Sequence, residues 1–505
     1  MALSNITFIK GQGGLGRPLP GQDYISGLLT YSNVLPSGFT TVNRIKALYA
    51  LSDAVNAGIL NDYSDATAAT FSYLVTAVGA AGDKIDILST EPNSTVDLGT
   101  YVRLSTDTTI AILGASIAAF INSGTINHGY SAAFATATVT VTMPKKLGIF
   151  PNNATTPIAV VITGAIAGTL TQPAGGVASA LAVYYYHISE FFRIQPKGVL
   201  YFGFFAVPSS YSFVEVSTMQ NFANGIIRQI GVFKNAIYAV ADLTALDIIC
   251  KVNDVAHKPI SSLYAADLSA TTDISTLVDL NTLTANKATA VIGQDGGGQG
   301  NFLFLTTGKS VTILGALLGA VALAKVSENV GWAAKFNISN GTECELLSFA
   351  NGQLFSSVAI TDGLIDSLNT RRYVFLRKFV GISGSWFNDS HTATTVASDY
   401  AYIENNRTID KATRGVYTFM LPSLNGPLTL NADGTLAETT TAYLSAQAEL
   451  PLNQMVRDGE MSAFAVLINP LQNVLSTSTI IIAVTLVING VARQIIIPIG
   501  FKPKI

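Results

Sequence analysis

The longest apolar runs of this chain stop short of a membrane span. Val311 to Ala324 (VTILGALLGAVALA), Ile158 to Leu170 and Thr479 to Ile488 are the best candidates, whereas a spanning helix needs roughly 20 apolar residues in succession. Lysines at 309 and 325, prolines at 157 and 173 and the Asn489-Gly490 dipeptide bound them. Each run therefore reads as a core helix or strand, and no membrane insertion is expected. Composition sharpens the constraint: of 505 residues, 49% are hydrophobic and only 12% charged, about half the usual charged share. Such a chain has too little charge to cover a large monomeric surface, so it is expected to bury much of that surface against neighbours.

Length sets the organisation. Single cores stop growing at about 250–300 residues, so about two to four domains are expected. Residues 1–20, rich in glycine and proline, read as an extended arm. From Asp23 to about Gly82 the pattern reads as helical, with Ile45, Leu48, Leu51 and Val55 along one face, and 21–82 is assigned to the core. Residues 83–177 read as an inserted small α+β unit, with a helix over 109–122 and an alternating strand AFATATVTVTMP over 133–144.

From 178 to 380 the chain alternates helix and strand in the manner of an α/β domain. ALAVYYYHISEFFRIQ is predicted as a helix apolar nearly all round, followed by a strand over 199–207. A second helix places Phe222, Ile226, Ile230 and Phe233 on one face, and the strand AIYAVADL follows. Then come a strand over 288–294, the DGGGQG turn, a helix from near Ser310, and a strand over 372–380 that closes the sheet. Residues 381–505 hold a helix around 439–449 and a terminal hairpin whose Asn489-Gly490 suits a two-residue type I′ turn. The fold class expected is a multidomain α/β and α+β protein.

A search for chemistry excludes more than it finds. GKS at 308–310 lacks the phosphate-loop glycine, because position 303 is Leu303. DGGGQG precedes NFLFL, which reads as a strand, so no helix N-terminus is expected to offer amides to a phosphate. His128, His187, His257 and His391 share no metal-ligand spacing, and Cys250 and Cys344 form no CxxC pair. Asp389 and His391 in NDSHT suggest a hydrolytic triad, but no GxSxG elbow supplies a nucleophile. A net charge of -3 offers no basic field for nucleic acid. No enzyme, cofactor, metal or direct nucleic-acid partner is expected. The N-terminus has no basic start followed by an apolar block, so cytoplasmic synthesis without Sec-type export is expected.

Charge is densest in SDYAYIENNRTIDKATRGVY, 398–417, where acids at 399, 404 and 410 interleave with bases at 407, 411 and 414. Two readings stand open: a solvated helix face, or arginine forks meeting acids on a neighbouring molecule.

That run, with SGSWFNDSHTATTVASDY before it, resembles the C-terminal region of tail sheath proteins from contractile bacteriophages and related injection machines. Those families show a G..W..D..T segment followed by an IEN.R..DKA.R helix. The segments 290–332 and 184–204 look like the sheath core, and IAAFINSGTINHGYSAAFATATVTVTMPKKLG like its inserted domain. The likeness covers most of the chain in order and is loose over the first 80 residues.

The resemblance implies an α/β core, an inserted outer α+β domain, and a tube-proximal α+β domain over 381–505 with extended terminal arms. It implies strand exchange between copies through Ile6, Phe8 and Ile9 at one end and Ile495, Ile497 and Ile499 at the other. It offers Glu404, Arg407, Asp410, Lys411 and Arg414 to the tube or to a neighbour. Implied partners are further copies of the chain, an inner tail tube protein, and baseplate and tail terminator proteins. The implied location is a virion tail or injection-system particle assembled in a bacterial cytoplasm. A capsid or surface-layer subunit is the competing reading. A tail-tip polysaccharide enzyme would want exposed tryptophans, and Trp332 and Trp386 are both expected to pack.

Overall fold

Long apolar runs with few charges call for elements buried on both faces, and the centre of the molecule is built that way. The computed structural model describes residues 22–153 and 155–501. Its main sheet has six strands in the order Ala288–Val291, Ser261–Ala265, Gln229–Phe233, Ile25–Tyr31, Val199–Phe205, Ile45–Leu48. All neighbours are parallel except the last pair. Alternate residues of the ISGLLTY strand enter opposite cores. Leu28 packs beneath the Ala180–Ile194 and Leu314–Leu323 helices, Leu29 beneath Glu215–Phe222 and Val240–Val255. The two helices on the first side approach closely because Gly315 and Gly319 face them. A Cβ on Gly315 would stand 2.3 Å from the His187 carbonyl oxygen, and one on Gly319 2.8 Å from that of Phe191.

Several sequence expectations are corrected here. Residues 23–82 are mainly strand: Ile25–Tyr31, Ile45–Leu48 and Thr70–Val78, with one short helix, Leu51–Asn56. Ile45 and Leu48 belong to an edge strand and enter opposite cores, because residues three apart fall on opposite sides of a pleated strand and a short apolar run does not fix the period. The expected 222–233 helix ends at Phe222, and Ile230 and Phe233 lie in a strand. AIYAVADL is instead the approach to the Val240–Val255 helix. The 372–380 segment reaches the main sheet only through the Val291/Val374 bridge, and its strand is Leu376–Arg377, paired with Trp386–Phe387.

The smaller unit has its own core of Phe71, Tyr73, Ile85, Leu113, Ile117 and Val141, among others. A four-stranded and a three-stranded antiparallel sheet enclose the Ile110–Ser123 helix. Strand Thr70–Val78 belongs to this unit, ahead of position 83, and paired hydrogen bonds between Thr67 and Val177 close its neck. The 133–144 run is a hairpin, Ser131–Ala135 with Thr138–Thr142. Thr136 and Ala137 take positive φ, 47° and 67°, which is type I′ turn geometry.

Beyond the core, the Ile403–Met420 and Glu438–Arg457 helices cross where Gly415 meets Pro451; a Cβ at 415 would lie 2.7 Å from the proline Cβ. A two-stranded ladder, Ala463–Ile468 with Ile482–Val487, packs beside them. The terminal hairpin expected at Asn489-Gly490 does not form. The Asn489 amide instead donates to the Gly459 carbonyl at 2.8 Å and accepts from the Ser462 hydroxyl at 2.9 Å, and the chain leaves the ladder there.

Candidate functional site

On a helix, residues 404, 407, 411 and 414 recur at three- and four-residue steps and share one face. That face points into the molecule. Glu404, Arg407 and Asp410 are 3%, 4% and 7% exposed, so neither the solvated face nor a neighbour-facing fork describes the single chain. The nearest acids and bases come from its own distant segments.

Asp410 Oδ1 lies 2.6 Å from Lys287 Nζ, which also reaches Asp254 Oδ2 at 3.0 Å. Lys411 Nζ bridges Asp23 Oδ2 at 2.6 Å and Glu460 Oε1 at 2.7 Å, and Arg414 meets Asp23 Oδ1 at 3.2 Å. The Arg407 guanidinium donates to the carbonyls of Ala324 and Lys325 at 3.2 and 3.1 Å, satisfying acceptors that the Leu314–Leu323 helix leaves open at its C-terminus. One helix thus fastens the root of the central strand, a core helix end, the Lys287 turn and the C-terminal ladder.

Buried charge raises the stakes of each pairing, since breaking one partner away leaves the other uncompensated. Burial pushes Asp254 up to about 6, against Lys287 and with Asp410 adding to the rise. Burial would also raise Asp23, but Lys411, Arg414 and Arg407 outweigh it and hold that carboxyl below its usual range. Lys287 is held above the usual lysine range because Asp410 and Asp254 overcome its desolvation. Arg228, which borders the same region, is pushed down to about 9 by burial and by Arg414.

At the start of the helix, Arg493 reaches back from the C-terminal segment. Its Nε lies 2.9 Å from Asp389 Oδ2, its Nη2 2.5 Å from Glu404 Oε1, and its guanidinium stacks 3.3 Å from the Tyr402 ring centroid. Asp389 also accepts from Asn329 Nδ2 at 2.6 Å, and Ser390 donates to Glu404. His391 Nε2 faces Asn369 Oδ1 at 3.0 Å. The NDSHT residues are thus committed to separate partners, with no Ser–His hydrogen bond among them.

Two other motifs resolve by geometry. Gly308 of GKS, at φ +66°, closes the C-terminus of the Gln299–Thr307 helix, donating its N–H to Phe304, so GKS ends a helix where a phosphate loop would begin one. NFLFL is helical, which overturns the strand reading, and DGGGQG leads into that helix. Its N-terminus is already filled: Gln299 N–H donates to Glu343 Oε1 at 3.0 Å, and Asp295 accepts from Gly297 and Cys344. Carboxylates occupy the place a phosphate would take.

Among the described residues no group of three or more His, Cys, Asp and Glu could hold a metal, and no helix is long and apolar enough to cross a membrane. Trp386 is buried and donates to the Ala333 carbonyl, whereas Trp332 is half-exposed, contrary to expectation. Ile6, Phe8 and Ile9 lie outside the described residues. Ile495, Ile497 and Ile499 are 76%, 70% and 91% exposed. Sequence reasoning missed Asp23, Asp254, Lys287, Glu460 and Arg493, and it considered Asp389 only beside His391 and not as a partner of Arg493. No motif marks them; only Arg493, a cation just ahead of the apolar run IIIPIGF, stood out as a signal that could have been followed.

Residues 399–505, the charged helix through the tail, match the family described as DUF2586, C-terminal domain. No curated protein matches the chain. Among solved structures, the chain is similar to the helical sheath of the anti-feeding prophage in its contracted state, at 14% identity over 65% of this chain and 84% of that one, TM-score 0.45. It is similar to the PVC sheath complex of an extracellular contractile injection system in its contracted state, at 14% identity over 64% and 81%, TM-score 0.42. It is also similar to a sheath tail protein from Desulfitobacterium hafniense, at 11% identity over 96% and 100%, TM-score 0.37.

Proposed function

We propose that this chain is a structural subunit of a contractile tail sheath, polymerising helically around an inner tube and shortening to drive that tube through a target envelope. The observation that carries the reading is at the C-terminus. The ladder of Ala463–Ile468 and Ile482–Val487 has only two strands, so each has an unpaired outer edge among the described residues. Packing of Phe464, Val466, Val484 and Leu486 against the two helices holds the ladder but leaves both its edges open. Beside it, residues 494–501 (QIIIPIGF) have strand-forming composition and no backbone partner among the described residues. A tail without a sheet and a sheet without its outer strands complement each other between copies, through strand addition.

Backbone pairing of this kind connects subunits while their bodies rotate and slide, as two packings of one lattice require. In this reading residues 21–82 and 178–380 supply the core, 83–177 the outer insertion and 381–505 the tube-proximal part, while segment 1–20 supplies a second arm. Partners are the tube protein, baseplate and terminator proteins, and the location is a virion tail or injection particle. The charged face of the Ile403–Met420 helix serves inside the subunit, which leaves tube contact to other surfaces. Force comes from the difference between packings, with no hydrolysis by this chain.

Negative-stain electron microscopy of the purified chain, intact and lacking 494–505, tests the proposal. Hollow tubes that vanish on truncation are expected. Closed shells or flat sheets would favour the capsid or surface-layer reading, and tubes unaffected by truncation would refute strand exchange by the tail.

A further inference from the structure

Between Asn489 and the exposed isoleucines, the C-terminal segment makes its polar contacts with its own subunit, among the described residues, through one charged side chain. Among the described residues beyond Asn489, the only hydrogen bonds and ion pairs are those of Arg493. The site that receives it is built. Asp389 and Glu404 are 8% and 3% exposed, Asn329 and Ser390 hold them in place, and the guanidinium sits over the Tyr402 ring. A planar fork facing two carboxylates across an aromatic face suits arginine and not lysine.

We infer that Arg493 is the anchor through which a pull on the C-terminal arm is delivered to the body of its own subunit. The inference rests on the strand-exchange reading above and adds where the arm is rooted. With Arg493 seated, the movable part begins at residue 494, and residues 494–501 span roughly 25 Å when extended. Withdrawing the cation would leave two buried carboxylates facing each other, so the root stays seated while the residues beyond it move. Glu404 lies in the first turn of the Ile403–Met420 helix. Tension arriving there passes along that helix to Arg407 and the Leu314–Leu323 helix end, and to Lys411 and Asp23 at the foot of the central strand. Fixing the root also raises the effective concentration of the arm at a neighbour's ladder, because fewer free residues separate the two.

The test compares the full chain with Arg493→Gln, with a triple variant Arg493→Gln, Asp389→Asn, Glu404→Gln, and with a chain lacking 494–505. Two quantities are read: the protein concentration at which tubes sediment, and the anisotropy of a dye on Ile499→Cys in the monomer. Both Arg493 variants are expected to lower the anisotropy and raise the sedimentation threshold about tenfold. Should the single variant fail to fold, the triple variant, which leaves no buried charge unpaired, decides the matter. A triple variant with the anisotropy and threshold of the intact chain, alongside a truncation that does not assemble, overturns the anchor alone. An intact chain that never sediments, or a truncation that sediments like it, overturns strand exchange and the anchor with it.

Discussion

Replacing Lys287 by Met should loosen the charged helix more than any loss of volume explains. Lys287 is 5% exposed and, among the described residues, is the only cation that pairs with Asp410 or with the Oδ2 of Asp254. Methionine nearly preserves the side chain's bulk, so the main change is two carboxylates left without a partner. Breaking one partner from a buried pair costs about 3–5 kcal/mol; because the Asp254 side chain is 30% exposed, water relieves part of this, and about 3 kcal/mol is expected.

The deficit should depend on pH, and its sign follows from Asp254. Its folded pKa, about 6, lies above its ordinary value of 3.8, so its contribution favours folding below about 3.8 and is lost as pH rises through about 6. Without Lys287 that pKa rises further. Urea denaturation should therefore show the full deficit near pH 8 and a smaller one near pH 4, where the Asp254 carboxyl binds a proton and no longer needs the cation. Adding Asp410→Asn to Lys287→Met should restore much of the loss near pH 8. Equal deficits at both pH values would refute the charge argument and assign the effect to packing.

Gly315→Ala should destabilise by about 2–3 kcal/mol, because the new Cβ meets the His187 backbone at 2.3 and 2.7 Å. Gly363→Ala, in the open Asp362–Thr370 helix, should stabilise by about 0.5–1 kcal/mol. Urea midpoints for the pair should move in opposite directions, and a neutral Gly315→Ala would mean the two helices can separate freely. His187 is fully buried with no partner at either ring nitrogen, and burial pushes it down to about 3. Its contribution to stability is present above about 6.5 and lost as pH falls from there towards 3. His187→Leu should therefore reduce the loss of stability towards acid across that window, leaving His391, which burial holds near 4, to act over a narrower range and Asp254 to act with opposite sign. An unchanged slope would place the acid sensitivity elsewhere.

What the sequence alone determined is whatever follows from local pattern and composition. ALAVYYYHISEFFRIQ is helical and VLYFGFF a strand because each is long or β-rich enough for one period to dominate, and both are buried because they are apolar on every side. The IENNRTIDKATRG helix was legible from its period. Local pattern failed for short runs such as 45–55 and 222–243, where three apolar residues fit either element and the partner strand decides.

Only the tertiary structure settled which way the charges face. An amphipathic charged stripe at 404, 407, 411 and 414 looks the same whether it meets water, a neighbour or the chain's own interior. The answer depends on Asp23, Lys287 and Arg493, which lie up to hundreds of positions away in sequence and carry no motif, and on Asp389, whose motif does not say what it pairs with. The same holds for the tail: QIIIPIGF has the composition of a strand, but a strand exists only where another backbone offers its edge, and within this chain the Ile482–Val487 strand is already paired with Ala463–Ile468 while the tail is pinned at Arg493.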